Sequence, residues 1–233
     1  MSDFTTWRSL VDGEEIGVIP DSVVNRLALD EGDGSSVEDS VGSANGTLFN
    51  DEVWTDDAAF EGATAPFFDE TDDYAEWSPR TEAPITWTLR VRLADPPDLT
   101  DAAFVFGHNV HPGLRYQEDG SDEIWRGADA DGGNRADVID PVSNAQGDIR
   151  VIAYQLDSAK VGLDVWDGGG THIGGDETTA TTDTNFDGST MFFGDVNDTA
   201  TRPFGDNIDL IDIHDQTFES FSEINGVVQQ VYF

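Results

Sequence analysis

Five residues near the middle of the chain, His108, Arg115, Tyr116, Trp125 and Arg126, have the side chains that sugar recognition uses. Ring faces stack on a pyranose, and planar polar groups reach its hydroxyls. The same rings are just as much at home in a β-protein core, so each has to be weighed against packing. Five aspartates, Asp39, Asp69, Asp72, Asp73 and Asp209, offer the hard oxygens that calcium selects, and Asp129-Ala130-Asp131-Gly132-Gly133-Asn134 alternates as a calcium loop does. With 34 aspartates in the sequence, chance also makes such clusters, and a solvated acidic surface accounts for any one of them. Calcium is therefore a candidate passenger and no other cofactor is implied. Hydrolysis of a glycan would need two carboxylates about 5 to 9 Å apart with one held protonated. The string Asn207-Ile208-Asp209-Leu210-Ile211-Asp212 comes nearest, but an asparagine cannot be the nucleophile, so no catalytic residue is assigned. His108 and His111 stand close together, with His172 and His214 far along the chain, and no further metal ligands accompany them.

Charge limits the partners. Across 233 residues, 48 acidic side chains face 11 basic ones, for a net charge of −37. Lys160 is the single lysine. Short carboxylates hold hydrated cations at a surface, whereas lysine stems add apolar area that concentrated salt drives to associate. Mutual repulsion reaches over roughly 30 Å in dilute buffer and about 3 Å in molar salt, so the composition suits a protein working near salt saturation. No basic patch could neutralise phosphates, which excludes nucleic acid. Cysteine is absent, so disulfides and thiolate metal sites are excluded. The opening MSDFTTWRSLVDGEE has acids where a secretion signal needs positive charge, and no long apolar run follows. Export by that route and membrane insertion are not expected.

The elements that must position these residues are strands. Apolar or alternating runs recur between clusters of Gly, Asp, Asn, Ser and Pro, as in an all-β, antiparallel jelly-roll sandwich. The runs are 23–29, 47–49, 74–77, 85–93, 103–107, 113–117, 123–126, 149–156, 160–166, 191–194 and 207–214. Alternation over 85–93 predicts one buried face and another that carries Thr86, Thr88, Arg90 and Arg92 to water. One helical turn is expected at 218–224 with Thr217 as its cap, and 168–189 reads as edge strands and solvated loops. Residues 1–22 form an extended docking arm whose Phe4, Trp7, Leu10, Val11 and Ile16 need a second surface, and 23–233 form the sandwich.

The order of motifs resembles the concanavalin A-like, laminin-G-like lectin domains. Leu29 through Ser40 followed by Asn45-Gly46-Thr47-Leu48 is similar to the family's opening, and Phe68-Asp69-Glu70-Thr71-Asp72-Asp73-Tyr74 to its F-D-G-x-D-D-Y turn, with Glu70 in place of glycine. Val151-Ile152-Ala153-Tyr154, Val161 to Val165, and Phe204 to Ile213 resemble its central and closing strands. The resemblance covers roughly 23–230 and implies a glycan-binding head; Asp39, Asp69, Asp72, Asp73 and Asp209 fall inside its motifs. Glucanases of related fold place their acids as E-x-D-x-x-E, which the 207–212 string does not match. Thr6 to Gly13 and Ile19 to Ser22 resemble leader segments of haloarchaeal virus and provirus proteins. Together these imply a virion structural protein, a capsid decoration, turret or tail-fibre component at the virion surface. Its partners would be other virion subunits, further copies of itself in a homo-oligomer, and host surface glycans. The alternative is a glycoside hydrolase or carbohydrate-binding module of a halophilic archaeon.

Overall fold

The structure is a computed structural model that describes residues 10–11, 14–15, 19–50, 53–55, 64–69, 72–80, 82–93, 103–108, 111–119, 122–129, 133–140, 148–180, 190–194 and 204–233. Its elements are β1 (Leu10–Val11), β2 (Glu14–Glu15), β3 (Val23–Leu27), β4 (Ser36–Val37), β5 (Gly46–Phe49), β6 (Val53–Thr55), β7 (Ala65–Asp69), β8 (Tyr74–Trp77), β9 (Ile85–Leu93), β10 (Ala103–His108), β11 (His111–Asp119), β12 (Asp122–Ala128), β13 (Arg135–Asp140), β14 (Asp148–Leu156), β15 (Lys160–Asp167), β16 (His172–Thr179), β17 (Met191–Phe193), β18 (Gly205–His214) and the helix α1 (Phe221–Tyr232). Every strand run read from the sequence is present. Within the 168–189 segment, β16 is indeed an edge strand.

Two antiparallel sheets stack face to face. The first runs β13-β12-β11-β10-β17-β8-β5-β4, and the second runs β16-β15-β14-β9-β18-β7-β6, with β3 added to β18. Sequence neighbours are often strangers in the sheet: β10 pairs β17, and β9 pairs both β14 and β18. This is a jelly-roll sandwich. Of the arm, only β1 and β2 are described; they pair with each other, and Phe4, Trp7 and Ile16, like the side chains of Leu10 and Val11, lie outside the described residues.

Inward side chains of both sheets close one apolar core. Its centre is aromatic: Trp77, Phe106 and Phe193 of the first sheet surround Trp87 of the second, with Trp87 and Phe106 stacked at 4.8 Å and Trp77 meeting Trp87 edge-on at 6.0 Å. Offset and edge-to-face pairs of this kind contribute beyond the area they bury. At Gly127 a Cβ would come within 2.9 Å of the Tyr154 ring, so only glycine lets that ring cross to the first sheet, where its hydroxyl donates to the Ala128 carbonyl at 2.6 Å. Arg150 and Asp140 form a buried pair that ties β14 to β13 at 2.7 and 3.0 Å.

The second sheet is covered on its outer face too. Helix α1 lays Ile224, Val228, Val231 and Tyr232 on Val151, Ala153, Trp166 and Leu210. It begins after Ser220 and runs to Tyr232, where the sequence reading had a single turn capped by Thr217. Glu223 accepts from the Ser220 amide at 3.2 Å and from the Glu219 amide at 3.0 Å, which satisfies donors at the helix start. The expected water-facing side of β9 is corrected by the same cover. Thr86, Thr88 and Arg90 are buried, because the 214–218 segment and α1 fold back over them: Thr86 donates to the Gln216 carbonyl at 2.7 Å, and Thr88 meets both His214 and Tyr232. Only Arg92 and Leu93 at the strand's end remain half-buried.

Candidate functional site

Strand parity sorts the five sugar-binding candidates. β11 and β12 pair with Arg115 opposite Arg126 and Tyr116 opposite Trp125. Successive side chains point to opposite faces of a sheet, so the two pairs cannot share one surface. Tyr116 and Trp125 go inward, at 2% and 0% exposure, with rings 4.7 Å apart. The Tyr116 hydroxyl donates to Glu123, and the Trp125 indole donates to Asp140 at 3.1 Å. Burial, and then that bond to Glu123, hold the Tyr116 phenol well above its ordinary pKa. Both residues are core, and neither offers a ring face to a ligand. His108 ends β10, and its side chain lies outside the described residues.

Arg115 and Arg126 go outward and come together. The row continues across β13 to Asp137, the register partner of Arg126, and on the other side to Phe104, the partner of Arg115. Arg126 donates to Asp137 through Nε at 2.6 Å and Nη2 at 2.7 Å. Its side chain is 9% exposed, whereas that of Asp137 is 38% exposed. Arg135 and Ile139 share the outer side of β13, as its alternating burial shows. Beyond Phe104 the face turns aromatic, with Tyr74, Phe104 and Phe192 in one cluster and Phe49 stacked on Tyr74 at 4.8 Å. The outer face of the first sheet is thus half arginine and half aromatic, without a covering helix among the described residues.

The sequence reading missed Asp137, Arg135 and the Phe49–Tyr74–Phe104–Phe192 cluster. One signal was available. Only Gly120 and Ser121 stand between β11 and β12 in the sequence, and the pairing of Asp119 with Asp122 on either side of them sets Arg115 opposite Arg126.

The five calcium candidates fare differently from one another. Asp39 is buried, and its oxygens accept from the Asn25 side chain and from the amides of Arg26, Val41, Gly42 and Ala44. Its lone pairs are spent on donors that organise the 39–44 loop, which leaves none for a cation. Asp209 is buried against Arg90 at 2.9 Å. Asp72 is half-buried, Asp73 is buried, and the Asp69 side chain lies outside the described residues. Among the described residues no group of three or more His, Asp or Glu gathers as a metal site would require. In the 129–134 string, Asp129 caps its own turn by accepting from the Gly133 and Asn134 amides and the Asn134 side chain, while residues 130–132 lie outside the described residues.

The hydrolase string is structural as well. Asn207 donates to the Pro66 carbonyl at 3.0 Å, Asp209 holds Arg90, and Asp212 takes both arms of Arg26 at 2.5 Å. Neither acid is available to a substrate. His214 is buried under Phe218 with Ser22 at 2.9 Å and Thr88 at 3.2 Å. Burial pushes its pKa down to about 4, so it stays neutral. His172 contacts Asp164 at 2.9 Å and the exposed ring of Phe221. A void of about 10 Å³ between Leu27, Phe68, Trp77 and Ile211 has room for one water at most. No helix among the described residues is long and apolar enough to cross a membrane.

No protein-family model and no curated protein matches the chain. Solved structures do. The binding domain of Paraclostridial Mosquitocidal Protein 1 aligns with TM-score 0.63 at 13% identity over 89% of this chain and 52% of its own length. Domain 4 of AbnA, a GH43 extracellular arabinanase from Geobacillus stearothermophilus solved with arabinotriose, aligns with TM-score 0.61 at 15% identity over 88% of this chain and 98% of its own. A Trypanosoma rangeli sialidase aligns with TM-score 0.60 at 13% identity, over 97% of this chain and 35% of the sialidase. The chain thus spans about half of the toxin domain and nearly all of the arabinanase domain. At these identities the likeness establishes the fold, a lectin-like jelly-roll β-sandwich.

Proposed function

We propose that the chain is a non-catalytic, lectin-like recognition head that binds glycans on the outer face of its first sheet in concentrated salt. The observation that carries this reading is the inequality of the two outer faces. One is sealed by α1, and the other carries the register-paired Arg115 and Arg126, the first half-buried and the second buried, beside an aromatic cluster against which the half-exposed Phe49 packs. The fold is shared with an arabinanase domain solved with arabinotriose and with toxin binding domains, which supports a binding role. Enzymatic action is disfavoured because Asp209 and Asp212 are spent on arginines. The arm of residues 1–22 would dock the head on a particle, and the acidic composition together with the leader resemblance supports a haloarchaeal virion surface as its setting.

The test is a glycan array at molar salt. The wild type should retain at least one glycan class, and Phe49→Ala on the open face should weaken retention by roughly tenfold, the value of a modest stacking contact. Phe221→Ser on the helix side should leave it unchanged. A head that retains nothing, or one equally sensitive on both faces, overturns the reading. Deleting residues 1–22 should abolish incorporation into particles while sparing glycan retention. A second reading, the sugar-binding module of a glycoside hydrolase, is favoured by the near-complete span of the arabinanase domain; retention of a plant-type arabinan oligosaccharide would select it.

A further inference from the structure

We infer that the outward stripe of α1 is a self-association surface, on which a second copy of this chain docks its own α1 antiparallel about a two-fold axis. This goes beyond the glycan-binding reading and does not rest on it, because it concerns the opposite side of the sandwich.

Helical periodicity divides α1 in two. Ile224, Val228, Val231 and Tyr232 face the second sheet and are buried. Ser222, Gly226, Gln230 and Phe233 follow one another at steps of four and three on the other side, with Phe221 and Gln229 beside them, and all six are exposed. The charge of this stripe is out of keeping with the rest of the molecule. A quarter of all residues are charged, yet 221–233 hold one charged side chain, Glu223. That carboxylate turns back to the helix start, where it accepts from the Glu219 and Ser220 amides. Two of the chain's six glutamines stand where an acidic surface would otherwise continue. Of the four large apolar side chains exposed among the described residues, the two aromatic ones are here, Phe221 at 47% and Phe233 at 49%. Phe221 is held from beneath by stacking on Trp166 at 6.2 Å. Exposed aromatic rings on a surface depleted of charge are the composition of an interface. Gly226 points the same way. A Cβ there would meet nothing within 4 Å, so the chain's own packing does not call for glycine, which weakens a helix interior relative to alanine. A second helix crossing at that point does call for it, because the missing side chain lets two backbones approach closely.

Charge identifies the occupant. In molar salt the screening length falls to about 3 Å, so two chains of net charge −37 repel only where their acids come into contact. Two copies can therefore meet where both surfaces lack acids, and one α1 stripe offers that to another. Symmetry fits as well. Phe221 and Phe233 lie six residues to either side of Val227, and Ser222 and Gln230 lie four to either side of Gly226. A two-fold axis at 226–227 carries Phe221 of one copy toward Phe233 of the other, so both ends of the contact, about 18 Å apart along the helix, are aromatic. One helix face falls short of the roughly 800 Å² per partner that a tight dimer buries, so the association is weak, and salt strengthens it. The two copies stand back to back, which leaves the outer face of each first sheet uncovered.

The experiment is sedimentation equilibrium on the full chain in molar potassium chloride over a concentration series, with disulfide trapping alongside. The wild type should pass from the mass of one chain to that of two, and Phe233→Ser and Gln230→Glu should each weaken the dimer at least about tenfold. Two substitutions are used so that a folding defect in one leaves the other informative, and near-UV circular dichroism checks both. Trapping exploits a chain without cysteine. Gly226→Cys should yield a linked dimer under mild oxidation, since a disulfide forms only where Cα atoms come within about 7 Å. Ile139→Cys, exposed on the first sheet, should link at least about tenfold more slowly. The mass of one chain at every concentration overturns the inference, as does a dimer that both substitutions leave intact or that links as fast through Ile139→Cys. Deleting residues 1–22 tests the rival occupant: a dimer lost with the arm, or formed only without it, assigns the contact to the arm and overturns the inference as well. Glycan retention by Phe233→Ser should equal that of the wild type, so failure of this inference leaves the glycan-binding reading standing.

Discussion

On the outer face of the second sheet, Arg26 and Arg90 meet Asp212 and Asp209 beneath a helix, and all four side chains are at most 5% exposed. On the outer face of the first, Arg126 meets Asp137 with no helix above it among the described residues, and the carboxylate stands 38% exposed. The chemistry of the pairs is the same, yet their roles differ. A buried guanidinium with its carboxylate has no room to exchange partners, so the pair specifies how β3, β9 and β18 align. In the pair on the first sheet the arginine is nearly as buried, at 9% exposure, and the difference lies in its carboxylate, which is solvated. Burial of the carboxylate, more than residue type, separates the two pairs.

The largest effect should come from breaking the sealed pair. Asp212→Ala leaves Arg26 charged in a dry site and is expected to cost about 3 to 5 kcal/mol. Asp137→Ala removes a carboxylate that is 38% exposed from an arginine that is 9% exposed, and should cost less, about 1 to 2 kcal/mol. Chemical denaturation of both variants at one fixed molar salt concentration checks this, and comparable losses would erase the distinction between the faces.

That distinction was only partly legible in the sequence. Strands such as 85–93 and 207–214 were visible because alternation reports directly on a half-buried surface. What alternation could not report is a second cover. Thr86 is sealed by a bond to the Gln216 carbonyl, 130 residues later, and no local pattern in β9 announces it. The cover had its own signal, since Ile224, Val228, Val231 and Tyr232 recur at helical spacing, but Gly226 and the β-branched valines argue locally against a helix. Arg115 and Arg126 were found as types, whereas their parity with Tyr116 and Trp125 needed the hairpin register. The aspartates were least legible. Asp39 and Asp209 sit inside recognisable motifs, yet one organises a loop through backbone amides and the other neutralises an arginine.

A smaller effect should separate the faces by pH. His214 is neutral in the fold, because burial lowers its pKa from 6.5 to about 4. The unfolded chain therefore takes up a proton first as pH falls. Stability from this group is complete above pH 6.5, declines between 6.5 and 4, and is constant below that, for a total of roughly 3 kcal/mol. His214→Asn should flatten that part of the stability profile relative to wild type. Arg126→Gln, on the open face, should leave its shape alone. If the two profiles keep the same slope in that window, the buried imidazole is not what sets it.

The smallest expected effect tests how the lid is latched. Tyr232, on the last turn of α1, donates to Thr88 at 3.1 Å, and Thr88 also contacts His214, whose other ring nitrogen meets Ser22. This chain of polar contacts crosses from helix to β9 to β18 to the residue preceding β3. Tyr232→Phe keeps the ring's packing and removes one bond, for an expected loss of about 1 kcal/mol. Because Thr88 keeps His214 as a partner, no buried hydroxyl is left without one. Amide hydrogen exchange should therefore quicken in α1 and along β9 while β11 to β13 exchange as before. Faster exchange spread over both sheets would mean that the helix is part of the global folding unit and not a separable lid on one face.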